Sequence, residues 1–172
     1  MRDPMEDLQD IQELLAYNRW AHDLFFDAIE ALPEGAVDRS LGSSFPTIRA
    51  TLAHLVGADL IWVTRWEAGD PVLPPGWEDR SVAELRETLE EVRARQDAFV
   101  DALEPTDLDR ELHYHDRAGE PHVSTFRHML VHVVNHATYH RGQLATLLRQ
   151  VDVIPPSTDF IRYTRRAAAG GE

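Results

Sequence analysis

Four stretches of the chain repeat apolar residues every three or four positions, the pattern of a helix with one face turned to a core. The first runs from about Met5 to Leu32. It sets Leu8, Ile11, Leu14, Leu15, Leu24, Phe25, Ala28 and Ile29 on that rhythm, and Pro33 and Gly35 end it. The second runs from about Thr47 to Ala68, after the turn-like Gly42-Ser43-Ser44 and Pro46, and stops at Gly69-Asp70-Pro71. Pro71, Pro74 and Pro75 predict loop from Pro71 to Asp79. Ser81 then offers an N-cap with Glu84 as capping-box partner, opening a third helix that runs to about Leu103, before Pro105. The fourth spans about Thr125 to Gln150, ahead of Pro155-Pro156. Between the third and fourth, Leu112 and Tyr114 alternate with His113 and His115 around a turn carrying Asp116 and Gly119. That alternation predicts a short β-hairpin or extended excursion. The expectation is an all-α, four-helix bundle forming a single domain over residues 1–172.

Composition narrows the class. With 43% hydrophobic and 27% charged residues, 172 residues suit one ordinary globular core. No run approaches the ~18 apolar residues of a membrane span, and MRDPMEDLQD lacks the basic and apolar regions of a secretory leader. A cytoplasmic location with no membrane partner is expected. Seventeen basic residues stand against 30 acidic ones, for a net charge of −13. The only basic cluster is Arg162, Arg165 and Arg166, so nucleic acid is not an expected partner. Every basic residue is Arg, which removes lysine Schiff-base and P-loop chemistry. No Cys is present, so thiolate nucleophiles and Cys-ligated metals are excluded. Any transition metal must be held by imidazole or carboxylate.

The fourth helix carries His128, His132, His136 and His140 at four-residue steps. Each step drifts about 40° around the helix. With His140 at 0°, Met129, Val133, Ala137, Leu144 and Leu147 fall between about −20° and +60°. His136 lies near −40°, at the edge of that stripe, while His132 and His128 lie near −80° and −120°. Three pairs therefore have chelating spacing, and the stripe favours His136 with His140 for an inward site. Such pairs also occur on solvated helix faces. On the second helix, His54 shares a face with Ala50, Thr51, Gly57, Ala58 and Ile61, small neighbours that leave room beside it.

Three segments, Tyr17-Asn18-Arg19-Trp20-Ala21, Thr51-Leu52-Ala53-His54-Leu55 and Asn135-His136-Ala137-Thr138-Tyr139-His140-Arg141-Gly142-Gln143, resemble the DinB/YfiT-like metalloprotein superfamily. The likeness runs from about residue 8 to about residue 163, and the closing Thr158–Tyr163 resembles the family's end. It implies an up-down-down-up bundle, often a homodimer, with one divalent metal held by His54, His136 and His140. The implied ion is Zn, Ni, Fe or Mn. Some members of the family are transferases or isomerases that use a low-molecular-weight thiol.

The resulting expectation is a metal-dependent enzyme, a thiol-dependent S-transferase or hydrolase-like catalyst in stress or detoxification. Its expected partner is a small-molecule substrate, with a low-molecular-weight thiol as the candidate. The rival is a non-catalytic metal-binding dimer of the same fold. Gln143 and His132 are candidate supporting residues. Arg141 is expected on the flank of the apolar stripe, as an ion-pair or substrate group. His22 stands where relatives often carry Asn and reads as a solvated substitution. Tyr17, Trp20, Trp62 and Trp66 read as core or pocket wall. His113, His115 and His122 form a weaker second metal candidate around the hairpin. Glu13, Asp23, Glu30, Glu87, Glu90 and Glu91 read as solvated faces, with no paired Glu-x-x-His of a dinuclear site.

Overall fold

The computed structural model describes residues 4–69 and 71–168. Asp70 of the stop signal, the first three residues of the opening segment and the end of the Ala/Gly tail lie outside the described residues. The four long helices are α1 (Pro4–Glu30), α2 (Ile48–Trp66), α3 (Val82–Asp101) and α4 (Phe126–Gln150). Their starts follow local chemistry. Thr47 Oγ1 accepts the N–H of Ala50 at 3.0 Å, and Thr125 Oγ1 accepts that of His128 at 3.3 Å. Ser81 and Glu84 form the capping box in both directions. At their C-termini, α2 and α4 close alike. Ala68 and Asp152 take φ of 60° and 61°, and the next N–H reaches back five residues, from Gly69 to Thr64 O and from Val153 to Leu148 O.

Cross-helix contacts give the helix directions. Asp7 pairs with Arg127 and Asn18 with Arg141, so α1 and α4 are parallel. Asp27 pairs with Arg86 and Arg19 with Asp97, so α1 and α3 are antiparallel. His54 meets His140 and Trp62 meets His132, so α2 and α4 are antiparallel. The bundle is therefore up-down-down-up, as expected.

The core falls into two apolar clusters, one at each end of the bundle. Ile11, Leu15, Val63, Trp66, Val100, Met129 and Val133 belong to the first. Phe25, Phe26, Leu52, Val56, Leu85, Leu89, Leu144 and Leu147 belong to the second. Between them along the helices lies a belt of buried polar residues: Asn18, His22, Asp59, Arg93, Gln96 and Arg141. A buried polar group must find partners or lose stability. Here Arg141 donates to Asn18 Oδ1 and, at 2.8 Å, to Thr138 Oγ1. Arg93 pairs with Asp23 at 2.8 Å and with Glu90 at 2.7 Å.

The hairpin forms as expected. Strands β1 (Glu111–His115) and β2 (Pro121–Thr125) pair antiparallel in the register Tyr114↔His122, and Gly119 supplies the positive φ of the turn. Three features go beyond the expectation. A fifth helix, α5 (Phe160–Ala168), follows the double proline. Its Phe160 and Tyr163 pack edge-on against Tyr17, whose hydroxyl donates to the carbonyl of Thr158 at 2.8 Å. Short 3-10 turns occur at Ala36–Asp38 and Pro105–Asp109. A third, Trp77–Asp79, lies inside the segment expected to be loop; the indole of Trp77 is buried and donates to Ala53 O at 2.9 Å. Among the described residues, no helix is long and apolar enough to cross a membrane.

Candidate metal centre

Antiparallel packing of α2 against α4 brings His54 opposite the His136/His140 pair. The three Nε2 atoms form a triangle: 3.3 Å from His54 to His136, 3.1 Å from His54 to His140 and 3.1 Å from His136 to His140. Three imidazole nitrogens at about 2.0–2.1 Å from one tetrahedral ion are separated by about 3.3 Å, so the donor set fits a single divalent metal. Each neutral imidazole has one N–H and one lone pair, so three converging Nε2 atoms cannot all satisfy one another by hydrogen bonding. Among the described residues this is the one group of three or more metal-ligating side chains close enough to share an ion.

Protonation favours ligation. Burial and the neighbouring imidazole of His140 push His54 down to about 4, with the charge of Arg117 adding to the effect. Burial, His140 and His54 likewise push His136 down to about 4. His140, buried at 6% exposure, is lowered by desolvation against an opposing hydrogen bond from Gln143. That bond is 2.7 Å, between His140 Nδ1 and Gln143 Oε1. Since Oε1 only accepts, Nδ1–H donates and the Nε2 lone pair is aimed into the triangle. Phe45 stacks on His54 with ring centroids 4.4 Å apart and fixes the third ring.

The centre opens on a cavity of about 510 Å³. Its floor is the small-residue face of α2, with Ala50, Ala53, His54, Gly57, Ala58 and Ile61; Phe45, Trp62, Leu73 and Trp77 wall it. Arg65, Glu78 and Arg117 complete the lining. Gly57 is required there. A Cβ on it would lie 2.8 Å from Trp77 Nε1.

The sequence model of the DinB family matches residues 1–171. This chain belongs to the DinB family. Protein DinB of Bacillus subtilis (strain 168) is 28% identical to it over 159 residues, which cover 88% of this chain and 91% of that protein. The crystal structure of a DinB-like protein from Bacillus cereus ATCC 10987 matches with a TM-score of 0.61 at 17% identity, over 87% of this chain and 95% of that one. At that identity the second likeness is one of fold.

Several expected roles change in this DinB-family chain. His22 is not solvated. It is 2% exposed, lies 4.0 Å from Asp59, and is lowered well below its ordinary value by burial and by Arg141 and Arg93. Burial correspondingly raises Asp59 to about 7 despite those two guanidiniums. Of the two readings of Arg141 the structure shows the inter-helix one, made by hydrogen bonding: it is 2% exposed and ties α4 to α1 through Asn18. His132 is exposed and touches the rings of Trp62 and His136, at 5.0 and 5.6 Å, with no hydrogen bond to a ligand histidine among the described residues. Of the four aromatic candidates, Tyr17 and Trp66 are core, Trp20 packs against them, and Trp62 lines the cavity. The hairpin histidines do not converge. His122 pairs across from Tyr114, on the face opposite His113 and His115, and bonds Asp116 at 3.2 Å. Asp23 and Glu90 hold Arg93, and Glu30 holds Arg86 at 3.0 Å, so part of the acidic surface links α1 and α3.

Phe45, Arg65, Trp77 and Arg117 were absent from the sequence-based candidates. Arg65 had a signal: eleven residues after His54, it returns to within about 20° of the same face of α2. The other three sit on connections, where no period places them.

Proposed function

We propose that this chain is a divalent-metal-dependent enzyme in which His54, His136 and His140 hold one ion beside a substrate cavity. The convergence of three Nε2 atoms, with His54 on the wall of an apolar cavity, carries this reading. Three protein ligands leave coordination positions for substrate, the arrangement of catalytic rather than structural sites. A divalent ion bound there supplies Lewis acidity and, with neutral ligands, an uncompensated positive charge that favours an anionic partner such as a thiolate. The chain has no Cys, so a reacting thiol comes from a small molecule. A thiol-dependent S-transfer or a hydrolase-like reaction fits this site best. The chain's own residues orient and enclose: Gln143 sets the His140 tautomer, Phe45 holds the His54 ring, and Trp62 and Trp77 supply apolar wall to the cavity. We include in the reading a single domain, a homodimer and a cytoplasmic location.

The test is metal content by elemental mass spectrometry on untagged protein purified without chelators, together with thiol consumption against a panel of electrophiles. The expected result is about one equivalent of Zn, Ni, Fe or Mn, lost in His54→Ala, with turnover that depends on it. One tightly held equivalent without turnover on thiol or ester panels favours the non-catalytic metal-binding dimer. No metal after anaerobic reconstitution overturns both.

A further inference from the structure

Two arginines line the cavity, Arg65 and Arg117. Arg65 is 8% exposed; its guanidinium lies 4.9 Å from the ring centroids of both Trp62 and Tyr114. Its Nη2 donates to the carbonyl of His115 at 2.8 Å, and its Nε is buried without a hydrogen-bond partner among the described residues. No carboxylate of the described residues lies within ion-pair distance of Arg65 or of Arg117, on the hairpin turn. Other described arginines also lack a carboxylate partner; what distinguishes Arg65 and Arg117 is that both line this cavity, and that Arg65 is buried. Glu78 is the one acidic residue on the same lining, and it pairs with neither.

Position adds direction. His54 and Arg65 share one face of α2 at eleven residues' separation, about 16 Å along the axis. The cavity between them is floored by alanine, glycine and isoleucine. It therefore has a metal-facing end at His54, an apolar middle and Arg65 at the far end, with Arg117 on the lining, near enough for its charge to act on His54. We propose that this cavity binds a small organic carboxylate with an apolar, aromatic or alkyl body, its carboxylate held by Arg65, its opposite end presented to the three-histidine centre, and Arg117 adding positive charge along the lining. The proposal rests on reading that centre as the reacting end of the cavity. A carboxylate suits the site because its two oxygens match a planar guanidinium side by side, and contact with the neighbouring rings of Trp62 and Tyr114 restrains that guanidinium in advance. A phosphate dianion needs more donors than the apolar walls supply. The volume, about 510 Å³, falls in the range of sites that enclose small molecules.

Titrating 6-phenylhexanoate and the uncharged 6-phenylhexan-1-ol into the full-length Zn²⁺-loaded protein, read by the emission of Trp62 and Trp77, tests this directly. The acid is expected to bind at least about tenfold more tightly than the alcohol, which is 1.4 kcal/mol. Arg65→Gln is expected to remove most of that preference, and Arg117→Gln, on an exposed turn, to reduce it. Equal binding of acid and alcohol to the unaltered protein overturns the proposal. So does a preference that survives both substitutions but vanishes in His54→Ala, because the carboxylate then sits on the metal. Should the metal reading itself fail, the same titration on chelator-treated protein still separates the outcomes, since the arginine-dependent preference needs no ion.

Discussion

At the scale of single residues, the centre depends on which nitrogen of each imidazole carries its proton. Only one such choice is enforced by a visible bond, the 2.7 Å contact between His140 Nδ1 and Gln143 Oε1. Replacing Gln143 by Leu removes the acceptor and frees His140 to place its proton on Nε2, where it opposes a metal. Partners that orient a ligating histidine typically contribute 10–100-fold in metal affinity. Gln143→Leu is therefore expected to weaken Zn²⁺ binding by about that factor in competition against a chromophoric chelator, and Gln143→Glu, which keeps an acceptor, to retain most of it. Equal affinity in the Leu variant removes Gln143 from the site. His22 makes a different residue-scale point. It lies four residues after buried Asn18 and four before buried Phe26, on the same stripe, so its burial was written in the period of α1. Residue type suggested a solvated group; position decided otherwise.

At the scale of elements, the legible parts were those that one segment specifies by itself. The helix spans, the Ser81–Glu84 box, the hairpin and the His136/His140 face follow from spacing and caps within a few residues. What could not be read was set between segments. Trp77 belongs to a short turn in a proline-rich connection, yet it closes the cavity by reaching back to Ala53 of α2. α5 is short, and its apolar contacts are with Tyr17 of α1. Short helices gain little from propensity alone. The docking of the Trp77 turn on α2 can be tested at Gly57. Alanine there gains up to about 1 kcal/mol of helix propensity. Against this, its Cβ would lie 2.8 Å from Trp77 Nε1, and the indole must move. Overpacking of this kind costs about 1–3 kcal/mol, and the displaced hydrogen bond about 1 more. Gly57→Ala is thus expected to lose about 1–3 kcal/mol in urea denaturation and to shift tryptophan emission to the red. Unchanged stability and emission would mean that the indole is not seated against α2.

At the scale of the whole molecule, the buried titratable groups make stability a function of pH with a definite sign. His54 and His136 fall to about 4 in the folded chain, and His22 and His140 are also lowered, from an ordinary value of 6.5. Between 6.5 and about 4 the unfolded chain takes up protons that these folded imidazoles refuse. Their contribution is thus fully present above 6.5 and is lost as pH falls through that window. Asp59 acts in the opposite sense. Raised from 3.8 to about 7, it takes its proton first in the folded state, so its contribution grows as pH falls. It faces His22 at 4.0 Å, with the charges of Arg141 and Arg93 also acting on it. Five lowered imidazoles, His132 included, against one raised carboxyl fix the balance: the metal-free protein is expected to lose stability steadily from about pH 6.5 to about pH 4. Replacing His54 and His136 together by Gln should flatten that slope. With Zn²⁺ present the loss should be steeper, because protons and metal compete for the same nitrogens. Urea midpoints of metal-free, metal-loaded and doubly substituted protein across that range check all three. A metal-free midpoint that rises on acidification would show that Asp59 outweighs the imidazoles, and that the triangle is not the desolvated, neutral donor set on which metal binding depends.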